Sequence, residues 1–494
     1  MARIPTLTFD RGTLILHPPP RGKAWVDYAT WDDRVERFRI PAIQYRPLVS
    51  VLQTEGTAFE DRAREFQSLV LAPALEMQPY PHQEEALTAW TQAGRQGVVV
   101  LPTAAGKTYL AQLAMQATPR STLIVVPTLD LMHQWYAHLV AAFPDIEVGL
   151  LGGGSRDRTP ILVATYDSAA IHAETLGNQY ALLVFDECHH LPSDFNRVIA
   201  EYAIAPYRLG LTATPDRADG RHVDLDTLVG SIVYQRTAED LSGQALADHE
   251  VVRITVNLSQ QERQRYDKLM KLRNGFLQQS HIRLGSLEGW QRFVQMSARS
   301  QTGRRAMLAH QEARSIALGT EGKLRILADL LATHYPEQTL IFTSDNATVY
   351  RISREFLIPA ITHQTPVKER HAILQRFREG TYRTVVTANV LDEGVDVPDA
   401  RIAIFLSGSG SNRQFIQRLG RVLRRGTQQN KQAILYEVVA EDTVEEGTSQ
   451  RRRRAPGSDR PQQLALVPNV SSQDSATAVP RVAESSPAWD IGDF

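Results

Sequence analysis

Gly106, Lys107 and Thr108 have the types and spacing of a phosphate-binding loop. They end the segment Val98-Val-Val-Leu-Pro-Thr-Ala-Ala-Gly-Lys-Thr108, in which a β-branched strand pattern runs into a helical pattern. Backbone N–H groups at a helix start, a lysine and a hydroxyl that can bind Mg²⁺ together hold nucleotide phosphates. Leu101 stands where the strict pattern has its first glycine, so the interpretation depends on the strand-loop-helix context.

Two adjacent acids, Asp186 and Glu187, follow the apolar strand pattern at 182–185. Such a pair suits metal-phosphate chemistry, in which the first acid holds Mg²⁺ and the second polarises a water molecule. The competing interpretation is a zinc site on Cys188, His189 and His190. Because no second Cys or His cluster lies at ligand spacing, magnesium is favoured. The thiol is expected to be an inert core group.

A third candidate segment, Gln417-Arg-Leu-Gly-Arg-Val-Leu-Arg424, places Arg421 and Arg424 on one helical face. Two guanidinium groups with this spacing can reach a γ-phosphate across a cleft between two domains and stabilise its developing charge. A solvated basic helix is the alternative for this segment alone. The phosphate loop and the acid pair elsewhere in the chain favour the nucleotide interpretation.

Alternating strand and helix patterns are expected to position these residues. Short β-branched runs recur along the chain, with helical patterns such as 109–116, 323–331 and 368–378 between them. This alternation predicts parallel sheets covered on both faces, in two successive α/β domains. The expected strands are Val98–Leu101, Leu123–Val126, Ile161–Ala164, Leu182–Phe185 and Leu209–Leu211, then Leu340–Phe342, Thr384–Thr387, Ile402–Leu406 and Ala433–Val438.

The stretch between the two α/β patterns, near 258–320, is predicted to be a helical insertion. It opens with a capping box, Ser259-Gln-Gln-Glu262. Over 261–314, eleven Lys and Arg residues stand against four Asp and Glu residues, so the segment could track a phosphate backbone and stack on bases. For its aromatics alone, a core stripe on a solvated helix is favoured. These aromatics are Tyr266, Phe276, Trp290 and Phe293.

Composition limits the class of protein. The chain has 494 residues, 43% hydrophobic and 22% charged, which fits an ordinary globular protein of several domains. No apolar run approaches a transmembrane length, and the start lacks the apolar core of a secretory signal. A single cysteine excludes an internal disulfide, so we expect a soluble, cytoplasmic protein. The net charge of −1 means that any surface for a polyanion must be local.

Both ends of the chain depart from the α/β pattern. Strand-like Thr6–Leu16 and the polar-aromatic stretch Trp31–Arg39 predict a small accessory domain. After Arg451–Arg454, a composition rich in Pro, Ser, Gln and Asp cannot bury a core. The expected domains are an N-terminal α+β domain over 1–75, a first α/β domain over 76–257, the helical insertion over 258–320, a second α/β domain over 321–454 and a disordered tail over 455–494.

With these residues in place, the chain resembles superfamily 2 helicases and, more narrowly, the XPB family of DNA translocases. The order of the motifs over about residues 30–450 carries the resemblance. Trp31–Pro47 is similar to the family's small damage-recognition domain, and the basic insertion lies where the family has a helical thumb. Arg217-Ala218-Asp219 resembles the family's Arg-Glu-Asp loop. The resemblance implies two tandem RecA-like parallel-sheet domains with ATP bound between them.

The resemblance also implies roles for individual residues. Residues expected to bind ATP are Gln83, which would read the adenine, and Thr103, Gly106, Lys107, Thr108, Gly394 and Asp396, with Asp186 and Thr108 on Mg²⁺. Residues expected in catalysis are Glu187, Gln417, Arg421 and Arg424. Residues expected to contact the DNA strand or couple it to hydrolysis are Pro127, Thr128, Thr165, Thr212, Thr214, Arg217, Asp219, Thr343 and Ser344. Three alanines depart from the family pattern: Ala104 for a loop glycine, Ala388 for a hydroxyl and Ala218 for a glutamate.

These observations predict an ATP- and Mg²⁺-dependent DNA translocase or helicase. By analogy with the family it would move 3′ to 5′ on forked DNA or a single-strand/duplex junction, act in DNA repair, associate with the nucleoid and have a nuclease partner. One alternative is an RNA-stimulated ATPase, because superfamily motifs contact the backbone and scarcely distinguish RNA from DNA. Another is a nucleotide-gated DNA clamp that recruits a partner, although the intact Glu187, Arg421 and Arg424 count against an inactive ATPase.

Overall fold

The N-terminal part of the chain is a five-stranded sheet packed against one helix. The structure is a computed structural model that describes residues 4–75, 77–215, 219–237, 240–241, 248–284, 287–388, 400–406 and 432–446. The N-terminal elements are β1 (Thr6–Asp10), β2 (Thr13–His17), β3 (Thr30–Asp32), β4 (Arg37–Pro41), α1 (Tyr45–Thr54) and β5 (Glu60–Asp61), with sheet order β3-β4-β2-β1-β5. Arg11 and Gly12 have φ of 44° and 84°, so the expected strand at 6–16 is instead a tight hairpin.

The first α/β domain is built on an eight-stranded sheet in the order β13-β6-β12-β11-β7-β10-β8-β9. All neighbouring strands are parallel except β8 and β9. The strands predicted in this half of the chain are confirmed. The elements are α2 (Pro81–Gln92), β6 (Gln96–Val100), α3 (Lys107–Ala117), β7 (Thr122–Val126), α4 (Leu129–Ala142), β8 (Val148–Gly152), β9 (Ser155–Arg156), β10 (Ile161–Thr165), α5 (Tyr166–Ile171), α6 (Ala173–Leu176), β11 (Leu182–Asp186), α7 (Val198–Glu201), β12 (Tyr207–Thr212), α8 (Leu225–Leu228) and β13 (Ile232–Gln235).

The predicted insertion is helical, with α9 (Gln260–Gln279), α10 (Leu287–Arg299) and α11 (Gln301–Leu318). Glu262 completes the capping box with Ser259 at the start of α9. The same carboxylate accepts hydrogen bonds from Thr320 Oγ1 at 2.9 Å and from the Glu321 N–H at 3.2 Å, where the next helix begins. One side chain therefore joins both ends of the insertion.

The second α/β domain has a six-stranded parallel sheet in the order β14-β19-β18-β15-β17-β16. Its elements are β14 (Asp248–Val256), α12 (Glu321–Thr333), β15 (Thr339–Phe342), α13 (Asn346–Phe356), β16 (Ala360–Ile361), α14 (Val367–Arg378), β17 (Thr384–Thr387), β18 (Ile402–Phe405) and β19 (Gln432–Ala440). The expected boundary at 257 is wrong, because β14 pairs with β19 over nine residues and so belongs to the second sheet. The helical insertion therefore lies within this domain.

The two α/β domains are in contact. Apolar residues of both sheets belong to one continuous buried cluster. An ion pair also joins the two domains: Arg370 Nη1 on α14 lies 3.3 Å from Asp130 Oδ2 in the first turn of α4. Within the described ranges, we find no helix with the length and hydropathy needed to span a membrane.

Candidate nucleotide site and nucleic-acid face

Three neighbouring strands of the first sheet bring the predicted phosphate and metal residues together. Lys107 follows β6, Thr212 ends β12 and Asp186 ends β11, and parallel strands present their carboxyl ends on one edge. Lys107 Nζ lies 3.3 Å from Glu187 Oε1, and Thr212 Oγ1 lies 3.5 Å from Glu187 Oε2. The sheet order therefore assembles an amine, a hydroxyl and two carboxylates from three distant segments.

Gly106 is the N-cap of α3 in a left-handed conformation, with φ of 79°. This φ strains any residue with a side chain, and a Cβ at this position would also force the Gln83 amide to shift. The Gln83 amide donates to the carbonyls of Ala105 and Gly106 at 3.3 and 3.2 Å, and its Oε1 accepts from the Tyr80 N–H at 2.9 Å. The structure thus places Gln83 against the phosphate loop.

Two other loop residues have features that fit a ligand site. Ala104, where the family pattern has glycine, has φ of 71°, which costs an L-residue about 1–2 kcal/mol. The Thr103 hydroxyl is buried and has no hydrogen-bond partner within the described part of the chain. A buried hydroxyl of this kind is normally satisfied by a partner.

The Asp186 carboxylate is fixed from two sides. Its Oδ2 accepts a hydrogen bond from the Trp135 indole at 2.8 Å, and its Oδ1 accepts one from the Glu187 N–H at 3.0 Å. The Tyr166 hydroxyl donates to the backbone carbonyl of Asp186 at 3.0 Å. Burial, and then the adjacent Glu187 charge, raise the pKa of Asp186 above its usual range, and Lys107 opposes the shift. Residue spacing could not predict the contacts of Trp135 and Tyr166 with Asp186, because both side chains come from other elements, α4 and α5.

His189 connects the acid pair with the end of β12. Its Nδ1 lies 3.1 Å from Thr212 Oγ1 and 3.5 Å from Glu187 Oε2, and Thr212 Oγ1 accepts from the Thr214 N–H at 3.2 Å. Among the described residues, no group of three or more His, Cys, Asp and Glu side chains is arranged to hold a metal. Cys188 is fully buried, which raises the pKa of its thiol.

The same sheet edge continues into a face of helix starts. Thr128 caps α4 by accepting from the Leu131 N–H, and Thr165 caps α5 by accepting from the Ser168 N–H, each at 3.3 Å. Beside them Gly152–Gly154 has three consecutive positive φ angles, and a Cβ on the last would meet open space. Helix N-termini and accessible glycine backbone favour anions. In the sequence, the run Gly152-Gly-Gly154 is the signal of this backbone.

The remaining predicted contact residues differ in exposure. Pro127 and Ser344 are partly exposed, whereas Thr343 is fully buried, with its hydroxyl donating to the Asp345 carbonyl at 3.0 Å. Asp219 accepts from the Arg221 N–H. Residues that lie outside the described part of the chain are Arg217, Ala218, Gly394, Asp396, Gln417, Arg421, Arg424 and the tail over 455–494.

The helical insertion presents most of its cations to solvent. Of its eleven Lys and Arg residues, nine are exposed, the exceptions being Arg263 and Arg273. Tyr266 and Phe293 are buried at 3% and 0% exposure, so they are core residues, as the alternative interpretation held. Trp290 is 39% exposed, and its ring packs against Phe293 and His310.

Comparison with known proteins first identifies the class of protein to which the chain belongs. Residues 76–217 match the family described as type III restriction enzyme, res subunit, and residues 322–426 match the helicase conserved C-terminal domain. The Pyrococcus furiosus Hef helicase domain has a similar fold, with a TM-score of 0.55 and 20% identity over 76% of this chain and 98% of that chain. The two matched families, together with the fold, therefore define an ATP-dependent helicase of superfamily 2, with two RecA-like domains.

The N-terminal domain and the relatives give the family. Residues 7–63 match the Xeroderma pigmentosum group B helicase damage recognition domain. A DNA 3′-5′ translocase XPB2 of Sulfurisphaera tokodaii is 41% identical over 86% of this chain and 95% of its own length. A DNA 3′-5′ helicase XPB of Mycobacterium tuberculosis is 30% identical over 73% of this chain and 61% of its own length. The chain belongs to the XPB family of DNA translocases and helicases.

Proposed function

We propose that Mg²⁺–ATP binds at the sheet edge formed by β6, β12 and β11. The observation that supports this proposal is the 3.3 Å contact between Lys107 Nζ and Glu187 Oε1. The amine that would bind phosphate thus lies beside the acid that would orient water. Asp186 and the Thr108 hydroxyl would hold Mg²⁺, which prefers oxygen ligands and, when bound, neutralises phosphate charge. The left-handed backbone of Gly106 at the start of α3 supports the fit.

The other nucleotide roles rest on the resemblance to the family. Gln83 would read the adenine from its position against the loop, and Thr103 would contact the nucleotide. Gly394 and Asp396 would lie at the ribose. Gln417, Arg421 and Arg424 would approach the γ-phosphate from the second domain when the cleft closes.

The proposed DNA track follows the helix starts at Thr128 and Thr165, with Pro127 beside them, and continues to Thr343 and Ser344 of the second domain. Because Thr343 is buried, its part would be to hold the loop. Thr212 and Thr214 would couple the acid pair to the strand. The exposed cations of the helical insertion would add phosphate contacts.

The two relatives are a DNA 3′-5′ translocase and a DNA 3′-5′ helicase, which supports movement from 3′ to 5′. We propose that the enzyme acts on forked DNA or junctions during repair at the nucleoid, together with a nuclease. Arg217-Ala218-Asp219 is proposed as a wedge that separates strands. Ala218→Glu would then improve unwinding of a fork at nearly constant ATP hydrolysis, whereas parallel changes in both activities would contradict the wedge.

One experiment tests the function directly: ATP turnover without nucleic acid and with single-stranded DNA, duplex DNA and RNA in parallel. DNA should stimulate turnover most. Equal stimulation by RNA would favour the RNA-stimulated ATPase, and DNA binding without turnover would favour the clamp.

Arg421→Ala should abolish the stimulated turnover while leaving ATP affinity within a few-fold.

A further inference from the structure

Trp135 is a buried residue of α4 whose only polar atom is aimed at the acid pair. The side chain is 2% exposed and belongs to the apolar cluster of the sheet. Its indole Nε1 donates to Asp186 Oδ2 at 2.8 Å. Indole nitrogen is a donor only, so this contact stabilises the carboxylate as an acceptor and fixes its rotation.

The second donor to Asp186 comes from its own loop. The Glu187 N–H donates to Asp186 Oδ1, so each carboxylate oxygen accepts one hydrogen bond. A carboxylate oxygen has two lone pairs, so with one hydrogen bond to each from the described residues, both oxygens can still accept a cation. Groups that hold a metal-binding carboxylate in place in this way contribute strongly to metal affinity.

Helix α4 connects Trp135 to the proposed DNA face. The helix begins after Thr128, and Trp135 lies about 10 Å further along its axis. The first turn also carries Asp130, which pairs with Arg370 of the second domain. A shift of this end of α4 would move the indole relative to Asp186, because the helix is rigid over two turns.

We propose that Trp135 is a positioning residue, which orients the Asp186 carboxylate for the divalent cation and transmits DNA contact at the start of α4 to that carboxylate. This inference rests on the proposed function, in which Asp186 holds Mg²⁺ and α4 faces DNA. If DNA contact and Mg²⁺ binding are coupled through α4, each changes the affinity for the other by the same factor. On this proposal the coupling is favourable, so we expect DNA to tighten Mg²⁺ binding and the effect to need the indole N–H.

The test replaces Trp135 with benzothienylalanine, an isosteric analogue that lacks the N–H donor, and with phenylalanine. The matched control is Trp90→Phe, because Trp90 is equally buried in the same cluster and its indole donates to the Arg208 carbonyl at 2.9 Å. The readout is the Mg²⁺ concentration for half-maximal binding of fluorescent ADP, with and without a DNA fork. Thermal unfolding is followed in parallel.

We expect the analogue to raise the half-maximal Mg²⁺ concentration about tenfold and to abolish its dependence on DNA. Trp90→Phe should leave the half-maximal Mg²⁺ concentration and its dependence on DNA within twofold of the wild-type values, even if it lowers stability as much as Trp135→Phe does. An unchanged Mg²⁺ dependence in the analogue would overturn the proposal, and a tenfold shift that keeps the DNA effect would overturn the transmission through α4. Asp186→Asn separates the failures: if it too leaves the Mg²⁺ dependence unchanged, the assignment of Asp186 to Mg²⁺ is wrong.

Discussion

The proposed nucleotide site and the helical insertion are both charged, yet they are built in opposite ways. In the site, Lys107 and Glu187 have side chains that are each 11% exposed, and each contacts a partner from another strand end. In the insertion, nine of eleven cations are exposed. The energy of a buried polar group depends on each of its neighbours. Exposed cations instead each add a similar contribution to the affinity for a polyanion. Single substitutions should therefore have large effects in the site and graded effects in the insertion.

The largest expected effect is that of Glu187→Gln. The amide keeps the size of the side chain but cannot polarise water, so turnover should fall about 10²-fold or more while ATP affinity stays within a few-fold. Glu201→Gln is the control, because Glu201 is an acid of the same domain that pairs with Arg197 at 2.7 Å. ATP hydrolysis at the wild-type rate by Glu187→Gln would remove the proposed role.

The insertion is tested by Arg304→Gln with Arg305→Gln, two exposed residues of α11. If both contact phosphates, DNA affinity at moderate salt should fall at least about tenfold, and the log-log salt slope should flatten by up to about two. Turnover without DNA should not change. Arg62→Gln with Arg64→Gln makes the same change of charge in the N-terminal domain. Equal losses of affinity in both double variants would argue against a specific track.

Gly106→Ala tests whether backbone strain lowers ATP affinity when it occurs beside Gln83 in the proposed nucleotide site. The left-handed φ costs alanine about 1–2 kcal/mol, and the new Cβ would also displace Gln83. We expect ATP affinity to fall about tenfold, as measured by fluorescent nucleotide binding. Gly56→Ala is the matched control, because Gly56 has φ of 64° with open space around its Cβ position. It should lower stability without changing ATP affinity.

The smallest expected effect concerns an ion pair on the insertion. Arg265 Nε lies 2.6 Å from Glu312 Oε1, and the two side chains are 70% and 40% exposed. Removing either partner should change the free energy of unfolding by less than about 1 kcal/mol, as measured by urea denaturation. A loss of several kcal/mol would mean that the insertion, like the nucleotide site, depends on mutual contacts.

Local patterns located the strands and the residues that follow them. Lys107 and Asp186 were found because an apolar run before a Gly-Lys-Thr or Asp-Glu sequence is visible within about ten residues. The boundary at 257 was misplaced, because the pairing of β14 with β19 joins segments about 180 residues apart. Trp135 looked like any apolar helix residue, since its contact with Asp186 depends on how α4 packs on the sheet.

The sequence by itself determined the element types, the candidate phosphate loop, the acid pair and the excess of positive charge in the insertion, because these depend on neighbouring residues. Tertiary structure decided which strand ends adjoin, and so put Thr212 and His189 beside Glu187 and the Trp135 indole on Asp186. It also decided that Thr343, Tyr266 and Phe293 are buried rather than available to DNA. The physical reason is that burial and distance depend on the packing of the whole chain, which residue spacing does not encode.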